Sequence, residues 1–219
     1  MKKQHMNILI WVLALLPVVA VAACYGALPE QVPTHWNMDG TVTYSGKAIL
    51  WLLALLSPAL GAALRAMPKI DPKRSNYARF QQYYDGFCIV LMLFLAVLNA
   101  VTLVESLRPG TISVWRTIIL AIGILFAALG NLMPKVKSNF FLGIKTPWTL
   151  SDPDVWNRTQ RLGGILFFAL GGVMVLCGLV LSEHASFVIL MVGILAVAFV
   201  PMVLSYIWCQ QKVDKDGDR

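Results

Sequence analysis

The sequence predicts an all-α integral membrane protein, a bundle of six transmembrane helices with both termini in the cytoplasm. Of its 219 residues 58% are hydrophobic and only 13% are charged, and the mean hydropathy is +0.70, more than a soluble domain needs. Several apolar runs reach the roughly 20 residues that cross about 30 Å of hydrocarbon as a helix. Fifteen of the eighteen Lys and Arg residues fall on one side of a six-span arrangement. The positive-inside rule makes that side cytoplasmic.

Because the apolar runs are long and do not alternate with polar residues, they predict helices rather than barrel strands. Only Lys47, Arg108 and Arg116 face outside in this arrangement, and five or seven spans would scramble the segregation of charge. The predicted spans are residues 7–28, 47–67, 84–104, 112–133, 162–181 and 187–208. We predict a membrane domain over residues 1–105, a second over 106–211 and a disordered tail over 212–219.

The cysteines of this chain predict buried free thiols and no disulfide framework. All four lie in or beside spans: Cys24, Cys88, Cys177 and Cys209. An apolar run after two lysines, with Val-Ala-Ala-Cys at residues 21–24, also fits a lipoprotein signal cut before Cys24. The run continues to Leu28 and is long enough to span, which favours an uncleaved first helix.

The external loop over residues 29–46 is rich in turn-forming residues and is expected to be folded. Residues 41–44 favour a brief strand. One interpretation is a connector between two helices. The other is an external recognition surface formed by His35, Trp36, Asn37, Asp39 and Gly40. A metal site is not predicted, because His35 has no second His or Cys at ligand spacing.

Residues 67–70 and 75–77 are similar to residues 133–136 and 138–140, with Met-Pro-Lys followed by Ser-Asn in both copies. This repeat predicts that the second and fourth spans are equivalent parts of a parallel repeat of helical hairpins, each broken by Pro on the cytoplasmic side. From Ser75 the aromatic residues recur at three- and four-residue spacing. That spacing predicts an amphipathic helix leading into the third span.

Three polar residues are predicted to lie in or at the ends of spans. We expect Asp85 to be paired with Arg79 near the membrane surface. Asn99 and Asn131 are expected to hydrogen-bond between helices. These three residues are also the ones that would line a path in a small transporter or lipid-handling protein. The spans lack the ladder of ionisable residues found in ion-coupled carriers, so that function is kept only as the alternative.

The longest polar interruption runs over residues 134–161 and is expected to be a folded cytoplasmic surface. Ser151 is predicted to cap a helix that begins there and leads into the fifth span. Gly163-Gly164 and Gly171-Gly172 are expected to allow close helix packing. The stretch either holds the fourth and fifth spans in register or exchanges a cytosolic signal. Its candidate residues are Asn131, Pro134, Asn139, Gly143, Lys145, Thr146, Pro147, Trp148, Trp156, Arg158, Thr159 and Arg161.

Residues 130–164, GNLMPKVKSNFFLGIKTPWTLSDPDVWNRTQRLGG, resemble the signature of the SdpI family, bacterial membrane proteins named for immunity to the sporulation-delay toxin. The external stretch LPEQVPTHWNMDG resembles a membrane domain of unknown function often found ahead of that signature. One departure is visible. The family usually has Thr-His-Arg where this chain has Thr159-Gln160-Arg161, which removes any role that needs an imidazole at residue 160.

The resemblance implies a six-span protein of the cytoplasmic membrane that protects a cell from a secreted toxic peptide. It also implies, from the founding member, capture of a cytosolic DNA-binding repressor at the membrane. The expected partners are therefore membrane lipid, a toxin peptide and such a repressor, without direct binding of nucleic acid. No enzyme or cofactor is predicted, because the sequence lacks an HExxH motif, a nucleophile elbow and a paired intramembrane Asp motif.

Overall fold

Six long helices make up most of the structure, a computed structural model that describes residues 3–37 and 41–217. Each of the six is long and apolar enough to cross a membrane, so the predicted all-α six-span bundle is confirmed. With one short helix among them, they are α1 (Lys3–Cys24), α2 (Ile49–Ile70), α3 (Gln81–Leu107), α4 (Val114–Leu132), α5 (Pro147–Ser151), α6 (Pro153–Val180) and α7 (Glu183–Gly217).

The helices form two groups of three. In the first group α1 packs on both α2 and α3, and in the second α6 packs on both α4 and α7. Contacts between α3 and α4 join the groups. The domain boundary predicted near residue 105 stays a prediction.

Two of the helices have ends that differ from the sequence prediction. Ser151 is the last residue of α5, and Asp152 rather than Ser151 caps α6 through Oδ1, which accepts the amides of Asp154 and Val155 at 2.7 and 3.0 Å. The tail predicted to be disordered continues α7 to Gly217. Lys212 Nζ lies 2.6 Å from Asp152 Oδ2, and this ion pair ties the last turns of α7 to the start of α6.

Glycine residues bring α4 and α6 into backbone contact. A Cβ on Gly171 would lie 2.5 Å from the carbonyl oxygen of Gly123, and one on Gly164 would lie 2.7 Å from that of Gly130. The two pairs are seven residues apart on both helices, which keeps them on one face of each. Gly172 has no neighbour within 4 Å at its Cβ position, so of the predicted Gly171-Gly172 pair only the first serves this contact.

A β-hairpin closes one end of the first helix group. Its strands are β1 (Gln31–Trp36) and β2 (Val42–Gly46), which pair antiparallel. The brief strand expected over residues 41–44 is thus present as β2, whereas β1 was not predicted. Val32 on β1 is fully buried in a cluster that includes Leu50 and Leu103. This contact fixes the hairpin on the ends of α2 and α3, and we call this end of the bundle the hairpin end.

At the opposite end the chain makes a tight turn between α2 and α3. The sequence predicted an amphipathic helix from Ser75 into the third span, but residues Arg74–Arg79 form a 3₁₀ helix that ends at Phe80. Phe80 is 1% exposed and packs in the core of the first group, and α3 starts one residue later. We call this end, which contains residues 71–80 and 133–152, the basic end.

Candidate functional site

The segment over residues 133–152, here called the cuff, folds against the start of α6 at the basic end. Its first organising residue is Asn139, whose side chain is fully buried. Asn139 Oδ1 accepts the amides of Phe141 and Leu142 at 2.9 and 2.6 Å, while Nδ2 donates to the carbonyls of Lys137 and Leu142. One amide side chain therefore satisfies four backbone groups and defines the turn.

Gln160 on α6 holds the next part of the cuff. Its Oε1 accepts the amide of Ile144 at 3.1 Å, and its Nε2 donates to the carbonyl of the same residue at 2.9 Å. Gly143 has φ +108°, and a Cβ there would lie 2.7 Å from Gln160 Oε1. Gln160, the residue at which the chain departs from the SdpI pattern, is therefore a buried, neutral side chain that links α6 to the cuff by hydrogen bonds.

Replacing Gln160 with leucine should lower the free energy of unfolding by about 1–3 kcal/mol, because the partly buried amide of Ile144 loses its hydrogen-bond partner. Unfolding of the purified protein in mixed SDS and detergent micelles measures this. Asn157→Leu is the matched control, since Asn157 lies on the same helix and is exposed; it should change the value by less than about 0.5 kcal/mol. An equal loss of unfolding free energy in the two variants would contradict the role assigned to the hydrogen bonds between Gln160 and Ile144.

α5 joins the cuff to α7. Thr146 caps α5 in a reciprocal box with Thr149, in which each side chain bonds the other residue's backbone amide, and Pro147 follows at the first helical position. Thr146 Oγ1 also lies 3.1 Å from Ser205 Oγ on α7. Trp148, on the next turn, packs edge-on against Tyr206 at 5.1 Å between ring centroids. The capping box and Pro147 explain why α5 starts at this point.

Further contacts join the cuff to α6 and stabilise the cuff internally. Trp156 is 1% exposed and its Nε1 donates to the carbonyl of Val136 at 2.9 Å. Pro134 lies against Gly164, where a Cβ would approach its Cδ to 2.8 Å. Lys145 is exposed and donates to the carbonyls of Phe140 and Phe141 at 3.2 Å. These contacts support the interpretation of the cuff as a folded surface.

Asp71, which follows α2, connects the first helix group to the cuff. Its side chain is 2% exposed. Oδ2 accepts the hydroxyl of Tyr77 and the amide of Phe140, both at 2.9 Å, and Oδ1 accepts the amide of Lys73 at 2.7 Å. Burial, and next the hydrogen bond to Asp71, raise the pKa of Tyr77 well above its ordinary value, so the phenol stays protonated and remains the donor.

Two further residues of the same turn reach the cuff. Lys73 Nζ donates to Ser138 Oγ and to the carbonyl of Leu150, both at 2.8 Å, and Asn76 Nδ2 donates to the carbonyl of Ser138 at 2.8 Å. The two copies of the sequence repeat thus contact each other, although the parallel repeat itself stays a prediction. None of Asp71, Lys73 and Tyr77 was predicted as a site residue. The available signal was the repeat, which marks this turn as the counterpart of the cuff.

The outer surface of the basic end carries exposed polar side chains and an ion pair at its edge. Arg158 and Arg161 are exposed on α6, whereas Thr159 between them is fully buried. Asn131 is exposed and accepts Lys135 Nζ at 3.3 Å; its predicted bond to another helix is therefore wrong. At the edge of the cuff, the hydrogen bond from Lys212 lowers the pKa of Asp152.

Two predictions about the span interior are corrected. Asp85 is 3% exposed and pairs with Arg65 on α2 at 2.7 Å, not with Arg79; the helix break at Phe80 separates Arg79 from it. Asn99 is buried as expected, but its Oδ1 has no hydrogen-bond partner among the described residues. Within the described part of the chain no three His, Cys, Asp or Glu side chains are grouped to hold a metal ion.

At the hairpin end the structure describes three of the five predicted recognition residues. His35 and Asn37 are exposed and Trp36 is half-buried. Asn37 closes the hairpin through Nδ2, which donates to Thr41 Oγ1 at 2.8 Å, and through its amide, which donates to the carbonyl of Thr41 at 2.9 Å. Asp39 and Gly40 lie outside the described residues.

The four cysteines are free, but only Cys88 and Cys177 are buried as predicted, whereas Cys24 and Cys209 are half-buried.

Comparison with known proteins identifies two matched segments. The model of the SdpI/YfhL protein family matches residues 135–205, and that of a domain of unknown function, DUF1648, matches residues 12–61. The chain is 24% identical over 196 residues to Immunity protein SdpI of Bacillus subtilis (strain 168), covering 90% of this chain and 91% of the relative. No solved structure matches the chain. The resemblance stated from the sequence is confirmed.

Proposed function

The chain carries the SdpI/YfhL segment with the DUF1648 segment ahead of it, and from this premise we propose that it gives a bacterial cell resistance to a secreted antimicrobial peptide. Its six apolar helices and its relative make it a multi-pass protein of the bacterial cytoplasmic membrane. The observation that carries the proposal is the similarity to an immunity protein over nine-tenths of both chains. The action is non-enzymatic in this proposal and depends on binding.

The hairpin is the surface we assign to the toxin, with the hairpin end facing outside the cell. Val32 anchors the hairpin in the core, and Lys47 Nζ pairs with Glu30 at 2.9 Å beside it. His35 is exposed and Tyr44 is 55% exposed. A fixed backbone that presents an aromatic ring and an imidazole supports binding, because little conformational entropy is lost when the partner docks.

We expect the full chain to protect a strain that is sensitive to the sporulation-delay toxin. Changing both His35 and Tyr44 to alanine should reduce survival at a fixed toxin dose about tenfold or more, since contacts of this kind contribute roughly 1 kcal/mol or more each. Plating efficiency measures the effect, with membrane levels of each variant checked by immunoblot. Unchanged killing with the wild-type chain at normal membrane levels would contradict the proposal.

The control for that experiment lies at the opposite end of the bundle. Changing Arg158 and Arg161 to alanine removes two exposed side chains of α6 and should leave protection unchanged. The same variant tests the second part of the proposal, capture of a cytosolic DNA-binding repressor by the basic end. A fluorescently labelled candidate repressor should move to the membrane on toxin exposure with the wild-type chain and stay cytosolic with this variant. Recruitment that is equal in both would remove that part alone.

A further inference from the structure

A polar cavity of about 600 Å³ lies where α3 begins. It is lined by Met6, Ala78, Arg79, Gln81, Gln82, Tyr83 and Asp85. The carboxylate of Asp85 is balanced by Arg65 and also accepts Gln81 Nε2 at 3.0 Å, so it adds no net negative charge to the cavity. The polar lining is unusual for the border of an apolar helix group and is not used by the proposed immunity function.

Arg79 lines this cavity, and Lys135 lies beside Tyr83, another of its lining residues. Arg79 is exposed and Lys135 Nζ lies 5.4 Å from the ring centroid of Tyr83, and within residues 3–37 and 41–217 neither takes part in an ion pair. The first turn of α3 also has no side-chain cap. A cavity with two available cations beside a helix start has the charge and the donors that a phosphate group requires.

A second, apolar cavity of about 170 Å³ lies between α3, the end of α4, the cuff and the middle of α6. Phe87, Leu129, Leu132 and Phe167 are among its lining residues. Phe87 follows Tyr83 by one helical turn, so both lie on the same stripe of α3. Along this stripe the lining changes from polar at the start of the helix to apolar one turn further into the span.

We propose that the two cavities are the headgroup and acyl-chain parts of one binding site for an anionic glycerophospholipid in the leaflet at the basic end. The polarity matches that of such a lipid with depth, a phosphate at the surface and hydrocarbon below it. The charge matches as well, because Arg79 lines the polar cavity and Lys135 lies over the ring of Tyr83, which lines the same cavity. Since α3 and Leu129 of α4 belong to different helix groups, the bound lipid bridges the two groups.

Native mass spectrometry of the detergent-solubilised full chain tests the headgroup site by titration with phosphatidylglycerol and with phosphatidylcholine. The wild-type chain should bind phosphatidylglycerol about tenfold more tightly, because both lipids carry the phosphate but the choline of phosphatidylcholine adds a positive charge that nearby cations repel. The double variant Arg79→Gln, Lys135→Gln should lose this preference. Arg74→Gln removes an exposed cation from the same 3₁₀ turn but not from the cavity, and should keep it.

Equal binding of the two lipids by the wild-type chain would overturn the site, and so would a loss in Arg74→Gln as large as in the double variant. If the double variant cannot be recovered in folded form, the single variant Arg79→Gln is compared with Arg74→Gln for loss of the phosphatidylglycerol preference.

The acyl-chain part has its own pair of variants. Leu129→Trp fills the apolar cavity and should weaken phosphatidylglycerol binding about tenfold, whereas Ile124→Trp on the lipid-facing side of α4, where Ile124 is 64% exposed, should not. Inorganic phosphate should compete poorly. If phosphate competes fully and Leu129→Trp binds like the wild type, the site takes a free phosphate and the lipid assignment is wrong. These measurements need no toxin, so their failure leaves the immunity proposal standing.

Discussion

Replacing Gly171 with alanine should destabilise the protein by about 3 kcal/mol or more, the largest effect we expect from adding one methyl group to this chain. The added Cβ would lie 2.5 Å from the carbonyl oxygen of Gly123, and the backbone of Ala127 is closer still. Atoms of the backbone cannot move aside as a flexible side chain can, so α4 and α6 must separate along their contact. In lipid no hydrophobic gain draws the helices back together.

Gly172→Ala is the matched control for Gly171→Ala. The two residues are neighbours on α6, but the Cβ position of Gly172 has no atom within 4 Å. Alanine there should be neutral or stabilise by up to about 1 kcal/mol through its higher helix propensity. Unfolding in mixed SDS and detergent micelles gives both values. Similar free energies for the two variants would show that the backbone contact between α4 and α6 does not carry the stability assigned to it.

The same glycines show how far the sequence predicts the fold. Span number and helical class follow from hydropathy, because each span must satisfy its own backbone in lipid. That Gly164 and Gly171 permit close packing also follows from the sequence. The choice of Gly123 and Gly130 as their partners does not follow from the sequence. Every face of α4 is apolar, and only the folded pairing decides which face meets α6. For that reason the sequence predicts close packing at both Gly171 and Gly172 and does not distinguish between them.

The candidate site divides in a similar way. Asn139, Thr146 and Trp156 belong to one dense polar segment, and the structure uses them in local bonds within that segment and its flanking helix. Composition alone marks such a segment. Asp71 bonds to Phe140, a residue 69 positions away, and Asp85 bonds to Arg65 on another helix. Those pairings depend on how the helices lie side by side, which no local pattern in the sequence encodes.

Asp71→Ala should be the second most damaging single change, with a loss of about 3–5 kcal/mol in the free energy of unfolding. It removes the acceptor of the Tyr77 hydroxyl and of the amides of Lys73 and Phe140. The Tyr77 hydroxyl is buried and the two amides are partly buried, and a buried donor left without a partner costs about 1–3 kcal/mol. A second measurement distinguishes loss of the contact between Asp71 and the cuff from a general loss of stability. In detergent, a protease should cleave residues 137–145 faster in the variant, while the hairpin end stays resistant.

Asp154→Ala is the control that removes the same charge from the same end of the molecule. Asp154 has a side chain that is 74% exposed and contacts Lys212 at 3.0 Å, and Lys212 keeps its bond to Asp152 when Asp154 is lost. A surface pair of this kind contributes less than about 1 kcal/mol. If Asp71→Ala unfolds no more readily than Asp154→Ala, the buried carboxylate does not hold the cuff to the first helix group. A difference of the expected size, with faster cleavage confined to the cuff, supports the structural role of Asp71 in holding the cuff to the first helix group.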